Sequence, residues 1–344
     1  MKKVSKIFIV LFVVAVVASL SLGLVACNND DDYSERYEGQ IIRFVAPEGT
    51  PALAMLRLVT DNPTLDGTKM EYEVVAPALI QAEMRNKSAD VVIMPINGGA
   101  KLIAQDANNE LDYKLVSVAV EGSLYLVGKK EGGNEITFDD IKGKKVACIG
   151  QNNVPGLTFE HVLKENGIKI VYSGEPKSDE VYIDYATDGP DAKSKYDNHS
   201  VEYMVVGEPA ATQFKNVLQL NGEMDIQKQY HVLHPEVDNY PQAGLFVRTA
   251  LAKDRKFMNA LFDALDDSED WVEDHPSEVT NFVKTYLHSN TVFPAQSIPR
   301  CAIDCDKLDN DDKNEIIAFL KIVAPVDSEN RTIDWDSMKS KLFY

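Results

Sequence analysis

Positive charge is what this chain has least of. It carries 35 Lys and Arg against 54 Asp and Glu, a formal charge of −19 over 344 residues. No basic stretch with interleaved aromatics occurs, and this excludes nucleic acid as a partner, because phosphate backbones need clustered Lys and Arg. Cysteine is scarce: there are four, with no CxxC pair, so neither a zinc ribbon nor a thiol redox motif is supported. The motifs GxGxxG, GxxxxGK[ST] and GxSxG are missing, which removes the usual signatures of dinucleotide binding, P-loop chemistry and an esterase-type nucleophile. No tandem repeat of solenoid period is present. The apolar share of 44% and charged share of 26% are those of a globular chain, long enough for two lobes and a sizeable core.

The first 27 residues differ in kind from the rest. Lys2, Lys3 and Lys6 precede the apolar run Ile7 to Leu20, which leads to Leu24-Val25-Ala26-Cys27. Small residues before a Cys at the end of an apolar run resemble a bacterial lipoprotein signal, with Cys27 as the lipidation site. An uncleaved transmembrane anchor is the alternative, since Ile7 to Ala26 is long enough to span a bilayer. Residues 1–27 are therefore set apart from the fold as a signal peptide, and 28–39 (NNDDDYSERYEG) read as a flexible, solvated tether. Two acyl chains on Cys27 would make a stable membrane anchor. This puts the protein outside the cytoplasm, lipid-anchored to the cell membrane, where disulfides are permitted. Cys148, in KKVACIG, reads as a reduced core residue. Cys301 and Cys305, four apart in RCAIDC, read either as a local disulfide or as two buried thiols.

Beyond residue 40 short β-rich runs alternate with helical patterns, which predicts α/β architecture. Strands are expected at Ile41–Ala46, Glu71–Val75, Asp90–Met94, Lys114–Val120 and Ser123–Lys129. After EGGNE (131–135) the series restarts with strands at Lys144–Ile149, Lys169–Tyr172, Val181–Ala186 and Val201–Val206. The polar segment DGPDAKSKYDNHS (188–200) receives no assignment. Ala243–Arg248 reads as a last strand, and the remainder is helical: 250–273, 276–288, 309–324 and 333–341. The restart and the sheetless tail predict a discontinuous first lobe, 40–128 plus 244–344, and an inserted second lobe, 129–243, with hinges near 121–130 and 241–248.

Four strand-to-helix junctions carry polar or flexible residues: FVAPEGTPALA (44–54), IMPINGGAKLI (93–103), CIGQNNVPGLTFE (148–160) and VVGEPAATQF (205–214). Ligands favour such places, because a helix N-terminus offers unpaired N–H groups and partial positive charge. In open α/β sheets the site lies beyond the carboxyl ends of the strands. Two junctions per lobe would form a cleft. The residues expected to line it are Glu48, Thr50, Asn97, Gly98, Asn152, Asn153, Glu208 and Tyr240, in hydrogen-bonding and orienting roles, with no catalytic residue. Thr50 and Asn97 also read as plain helix caps, and Glu208 as a cap for the helix that Pro209 opens.

The lipobox, VAPEGTPALA, ADVVIMPINGGAKL, GEPAAT and YPQAGLFVR together resemble the extracytoplasmic solute-binding proteins of ABC importers, in the group with nitrate-, sulfonate-, taurine- and thiamine-precursor binders. The resemblance covers most of 40–250 and continues in the helical tail. It implies a two-lobe type II periplasmic-binding-protein fold, with the helical C-terminal tail packed on the first lobe. It also implies two crossovers, a small-molecule ligand in the cleft, and delivery to a permease and its ATPase. The chain departs from the anion-binding members in one respect: no clustered Arg stands near the junctions, whereas Glu48, Glu121 and Glu208 do. Carboxylates repel small anions, so a neutral or cationic solute, heteroaromatic ones included, is expected. The competing expectations are an enzyme on the same fold, a sulfonate- or nitrate-type anion binder, and an adhesin or structural module.

Other candidates are weaker. His231 and His234 in HVLHPEVD lack a third clear metal ligand. DCDKLDNDDKNE lacks the glycine and spacing of an EF-hand loop and reads as an acidic helix start favoured by the dipole. Tyr182, Tyr185, Tyr203 and Tyr240 suit either ring stacking or half-buried strands. No cofactor and no metal are expected.

Overall fold

The computed structural model describes residues 40–344; the signal segment, Cys27 and the tether lie outside the described residues. The chain begins with β1 (Ile41–Pro47), β2 (Thr64–Leu65), β3 (Thr68–Val75), β4 (Val91–Pro95), helix α1 (Ile96–Gln105) and β5 (Tyr113–Glu121). It then crosses to β6 (Leu124–Gly128), β7 (Lys144–Ile149), α2 (Val154–Glu165), β8 (Lys169–Val171), β9 (Glu180–Ala186), α3 (Gly189–Asp197), β10 (Tyr203–Gly207), α4 (Ala210–Leu218), β11 (Gly222–Asp225) and α5 (Ile226–Leu233). It returns in β12 (Pro241–Arg248) and ends in α6 (Arg255–Asp274), α7 (Val279–Tyr286), α8 (Asn310–Val323) and α9 (Trp335–Leu342).

Two six-stranded sheets result, ordered β2-β3-β1-β4-β12-β5 and β11-β6-β10-β7-β9-β8. The strands at the centre of each are parallel. Each sheet then accepts one antiparallel strand that arrives from the other: β12 beside β4, and β6 beside β10. The strand Leu124–Gly128, expected in the first lobe, thus hydrogen-bonds in the second sheet. The first crossover is only Gly122-Ser123, and the division falls there instead of near 128. The reason is pairing: β6 gains β10 on one side and β11 on the other. The runs VVIMP and LYLVG are buried throughout or nearly so, as expected of strands covered by helices on both faces.

The two crossovers run side by side. Gly122 N–H donates to the Tyr240 carbonyl (2.8 Å), and Asn239 Nδ2 donates to the Gly122 carbonyl (3.1 Å). A Cβ on Gly122 would lie 2.5 Å from the Tyr240 ring and 2.6 Å from Asn239 Oδ1, so only glycine permits this approach.

The tail divides its packing. α6 and α7 cover the first sheet through Phe257, Leu261, Leu265 and Val283. α9 also rests on the first sheet, against α1 and β5. α8 touches α9 but also reaches α2 in the second lobe. Its Phe319 stacks on Tyr240 (centroids 5.6 Å apart) and meets Tyr230 of α5 edge-on, contacts worth about 0.5–1.5 kcal/mol each beyond burial. α3 fills the unassigned polar segment. Its only fully buried side chain is Ala192, and Asp188 caps it by accepting from Asp191 N–H, a start signal without an apolar stripe behind it. Among the described residues no helix is long and apolar enough to cross a membrane.

Candidate functional site

The four junctions meet in pairs across the two sheets. Thr50 Oγ1, after β1, donates to the carbonyl of Glu208, after β10 (2.9 Å). Asn97 Nδ2, in the first turn of α1, donates to the carbonyl of Asn152, before α2 (3.1 Å). A third bridge joins Gln213 Nε2 of α4 to the Val292 carbonyl in the tail.

Neither Thr50 nor Asn97 caps a helix. Gly49, at φ 105°, makes the turn into the 3₁₀ segment Thr50–Met55, so the Thr50 hydroxyl is free to cross. α1 begins one residue before Asn97, with Pro95 at its cap position, and the amide reaches over to the other lobe. Asn97 is 1% exposed and its Oδ1 has no partner; Ser123 Oγ, at the first crossover, is likewise buried and unpartnered. Buried polar atoms left unpaired cost about 1–3 kcal/mol each, and Asn97 Oδ1 and Ser123 Oγ are two of the four such side-chain atoms among the described residues.

Asn152 adopts φ 63° and is exposed, a backbone state Asn tolerates better than most residues; its carbonyl, not its side chain, makes the bridge. Asn153 stands at the cap of α2 with no side-chain capping bond. Gly98 is buried inside the first lobe, against Gln81 and Met94. Glu48 is exposed, and its Oε1 accepts from Ser289 of the tail (2.6 Å). Tyr240 is placed differently from expectation. It is fully buried, its faces are taken by Phe319 and Tyr230, and its hydroxyl meets Gln227 Oε1 (3.1 Å). It anchors the crossover and leaves no face for a ligand ring.

Glu208 does cap a helix, and does more. Its carboxylate accepts from Thr212 N–H (3.1 Å) and Oγ1 (2.9 Å) in α4, and from Arg300 Nε (2.5 Å). Arg300 comes from the tail segment Ala295–Arg300 and was not singled out from sequence. It also donates to both oxygens of Glu223 on β11 (3.1 and 2.9 Å) and lies 3.8 Å from the centre of the Tyr125 ring. Lys215 Nζ completes the group on Glu223 (2.8 Å). Burial pushes the Glu208 carboxyl up, only partly offset by Arg300 and Thr212. Burial acts the same way on Glu223, but Arg300 and Lys215 outweigh it and hold that carboxyl below its ordinary value. A single arginine therefore stands at the Glu208 junction, enclosed by two carboxylates and an aromatic face. No sequence signal links Arg300 to Glu208, 92 positions earlier.

Cys148, Cys301 and Cys305 are free and buried, and burial pushes the Cys301 thiol up to about 12. His234 Nε2 faces His161 Nε2 at 2.9 Å, the rings stacked, while His231 Nδ1 contacts the Val237 carbonyl. Among the described residues no group of three or more His, Cys, Asp or Glu is placed to hold a metal ion.

Known structures share this architecture. An ABC transporter protein from Parabacteroides distasonis is 19% identical, with a TM-score of 0.68 over 86% of this chain and 96% of that one. The periplasmic aliphatic sulphonate-binding protein SsuA of Escherichia coli is 13% identical, with a TM-score of 0.61 over 88% and 92%. A sulfonate ABC transporter periplasmic binding protein from Methylobacillus flagellatus is 15% identical, with a TM-score of 0.54 over 87% and 91%. The chain has the two-lobe fold of these binding proteins. No protein-family model and no curated protein sequence matches it.

Proposed function

We propose that this chain is the extracytoplasmic solute-binding component of an ABC importer, held to the membrane through lipid on Cys27, which captures a small solute between its lobes and presents it to a permease with its ATPase. The observation that carries this reading is the pairing of the four junctions across the two sheets, with Asn97 Oδ1 buried and unpartnered between them. Two short crossovers give the lobes a hinge of the kind that closes around ligands. The residues proposed to contact or frame the solute are Thr50, Asn97, Ser123 and the Asn152–Asn153 turn. Glu48, Gly98 and Glu208 support the junctions.

The solute is proposed to be neutral or cationic, with heteroaromatic rings among the candidates. The charge argument now rests on Arg300. Its guanidinium faces Glu208 and Glu223, so it offers no spare cation to a sulphonate or nitrate. The proposed role is binding: His161 and His234 face each other, and burial pushes the Cys148 thiol up, away from the range of a reactive cysteine.

The test is a thermal-shift screen of the full-length chain in mild detergent against pyrimidines, primary amines, alkylsulphonates and nitrate. A ligand at a hundredfold excess over Kd stabilises the native state by about 2.7 kcal/mol. Tight nitrate or alkylsulphonate binding would overturn the charge argument. Turnover of a compound without stable binding would favour an enzyme.

A further inference from the structure

A cavity lies beside the hinge, and none of the bridging junction residues Thr50, Asn97, Asn152 and Glu208 lines it. Its volume is about 540 Å³. Val118 and Glu121 at the end of β5, Asn239 and Pro241 at the return crossover, and residues 304–316 of the tail form its walls. Six carboxylates belong to that wall: Glu121, Asp304, Asp306, Asp309, Asp312 and Glu315. Among the described residues none of the six has an ion pair within 4 Å, although Lys307 also lines the cavity. Glu208 and Glu223, by contrast, are matched by Arg300.

Three of the six are engaged locally: Asp304 Oδ1 accepts from Asp306 N–H (3.1 Å), and Asp309 and Asp312 form the capping box of α8. Glu121 is the informative one, because its Oε2 is buried and has no hydrogen-bond partner. Burial first, and then the charges of Asp304, Glu315 and Asp312, push this carboxyl up to about 8. The carboxyls of Asp304 and Glu315 are raised too, by burial first and then by their acidic neighbours. A buried acid surrounded by like charges either keeps its proton or is compensated by an entering cation.

A bare metal ion does not fit this arrangement. The acids do not converge as a ligand set, the space is many times the size of one ion, and Val118, Leu308 and Ile316 supply apolar wall between them. Spaced carboxylates along an apolar surface match a flexible aliphatic chain with an ammonium group at each end.

We propose that this cavity binds an aliphatic diammonium ligand between Glu121 and the acids of residues 304–315, at a site separate from the interlobe cleft. Because its walls come from the end of β5, the return crossover and the tail, occupancy bears on the hinge itself and links diamine binding to lobe movement.

The experiment is calorimetric titration of the full-length chain in mild detergent with 1,5-diaminopentane, and with 1-aminopentane and calcium chloride for comparison. The expected result is saturable one-to-one diamine binding at least tenfold tighter than the monoamine, with no displacement by calcium. Glu121→Gln weakens it at least tenfold and Glu315→Gln, on the exposed face of α8, at least threefold, which keeps the test open should the buried variant fold poorly. Asn97→Ala, in the cleft, retains saturable one-to-one diamine binding. Absence of diamine binding, displacement by calcium, or full retention in both acid variants overturns the proposal. Loss in Asn97→Ala alone overturns it too, by making the diamine a cleft solute.

Discussion

The two bridges between the lobes are made of different chemistry. On one side Thr50 and Glu208 meet inside a charged group, where Arg300, Glu223, Lys215 and Tyr125 satisfy one another. On the other Asn97 and Asn152 meet through one neutral hydrogen bond, and an oxygen is left over. The first side is saturated and reads as the structural fastening of the tail to the second lobe. The second is unsaturated and reads as the place for a solute. Fully matched polar groups rigidify, whereas an unmatched buried group stores free energy that a ligand can release.

The sharpest way to break this contrast is Arg300→Met. It strands Glu208, whose side chain is fully buried, and should destabilise the fold by about 3 kcal/mol in urea unfolding, the lower end for loss of one partner from a buried pair. The double variant with Glu208→Gln should recover much of that loss, because the two positions are coupled. If Arg300→Met leaves the unfolding midpoint unchanged, the charged side is not a fastening.

Gly122→Ala strikes the hinge common to both sides. Forcing a Cβ to 2.5 Å from the Tyr240 ring should cost about 1–3 kcal/mol by the usual penalty for overpacking. Gly133→Ala, where nothing lies within 4 Å, serves as the neutral control. Equal melting points for the two would show that the crossovers can part freely.

A pH series isolates Glu121, which belongs to neither bridge. Its folded carboxyl titrates at about 8, far above the ordinary value of 4.5, so the folded state holds a proton that the unfolded state has released. Stability from this group is therefore full below about pH 4.5 and is lost as pH rises to about 8. Glu269 acts in the same direction, with burial first and Asp304 next raising it to about 7. Glu121→Gln should flatten the decline, giving a variant relatively more stable at pH 9 than at pH 5. A decline of unchanged slope would show that Glu121 is already ionised.

The smallest stability effects test the solute side. Asn97→Ala should shift stability by no more than about 1 kcal/mol, the net worth of one hydrogen bond, while weakening solute binding at least tenfold in the thermal-shift series. Glu48→Ala should change stability by about 0.5 kcal/mol or less, as exposed substitutions do. A larger change would make its bond to Ser289 part of the fastening.

Much of the architecture was legible. The expected tail helices 250–273, 276–288, 309–324 and 333–341 correspond to α6 to α9, because amphipathic period and acidic N-caps such as Asp254 and Asp309 are local signals. The strands VVIMP and KKVACI were legible as apolar runs. What failed was long-range. LYLVG carries no mark of which sheet it joins, and its assignment follows from partners at 203–207 and 222–225. α3 was missed because its face is polar. Tyr240 looked like a ring available for stacking because sequence cannot show that Phe319 covers it.

The sequence by itself determined the α/β alternation, the restart of the strand series, the helical tail and the four polar junctions, since each is written in neighbours a few residues apart. Only the tertiary structure decided which junctions meet, that Arg300 closes on Glu208 and Glu223, and that Glu121 is buried among acids. Those outcomes depend on burial and on charges brought together from positions as far apart as 121 and 304, and a local pattern holds no information about either.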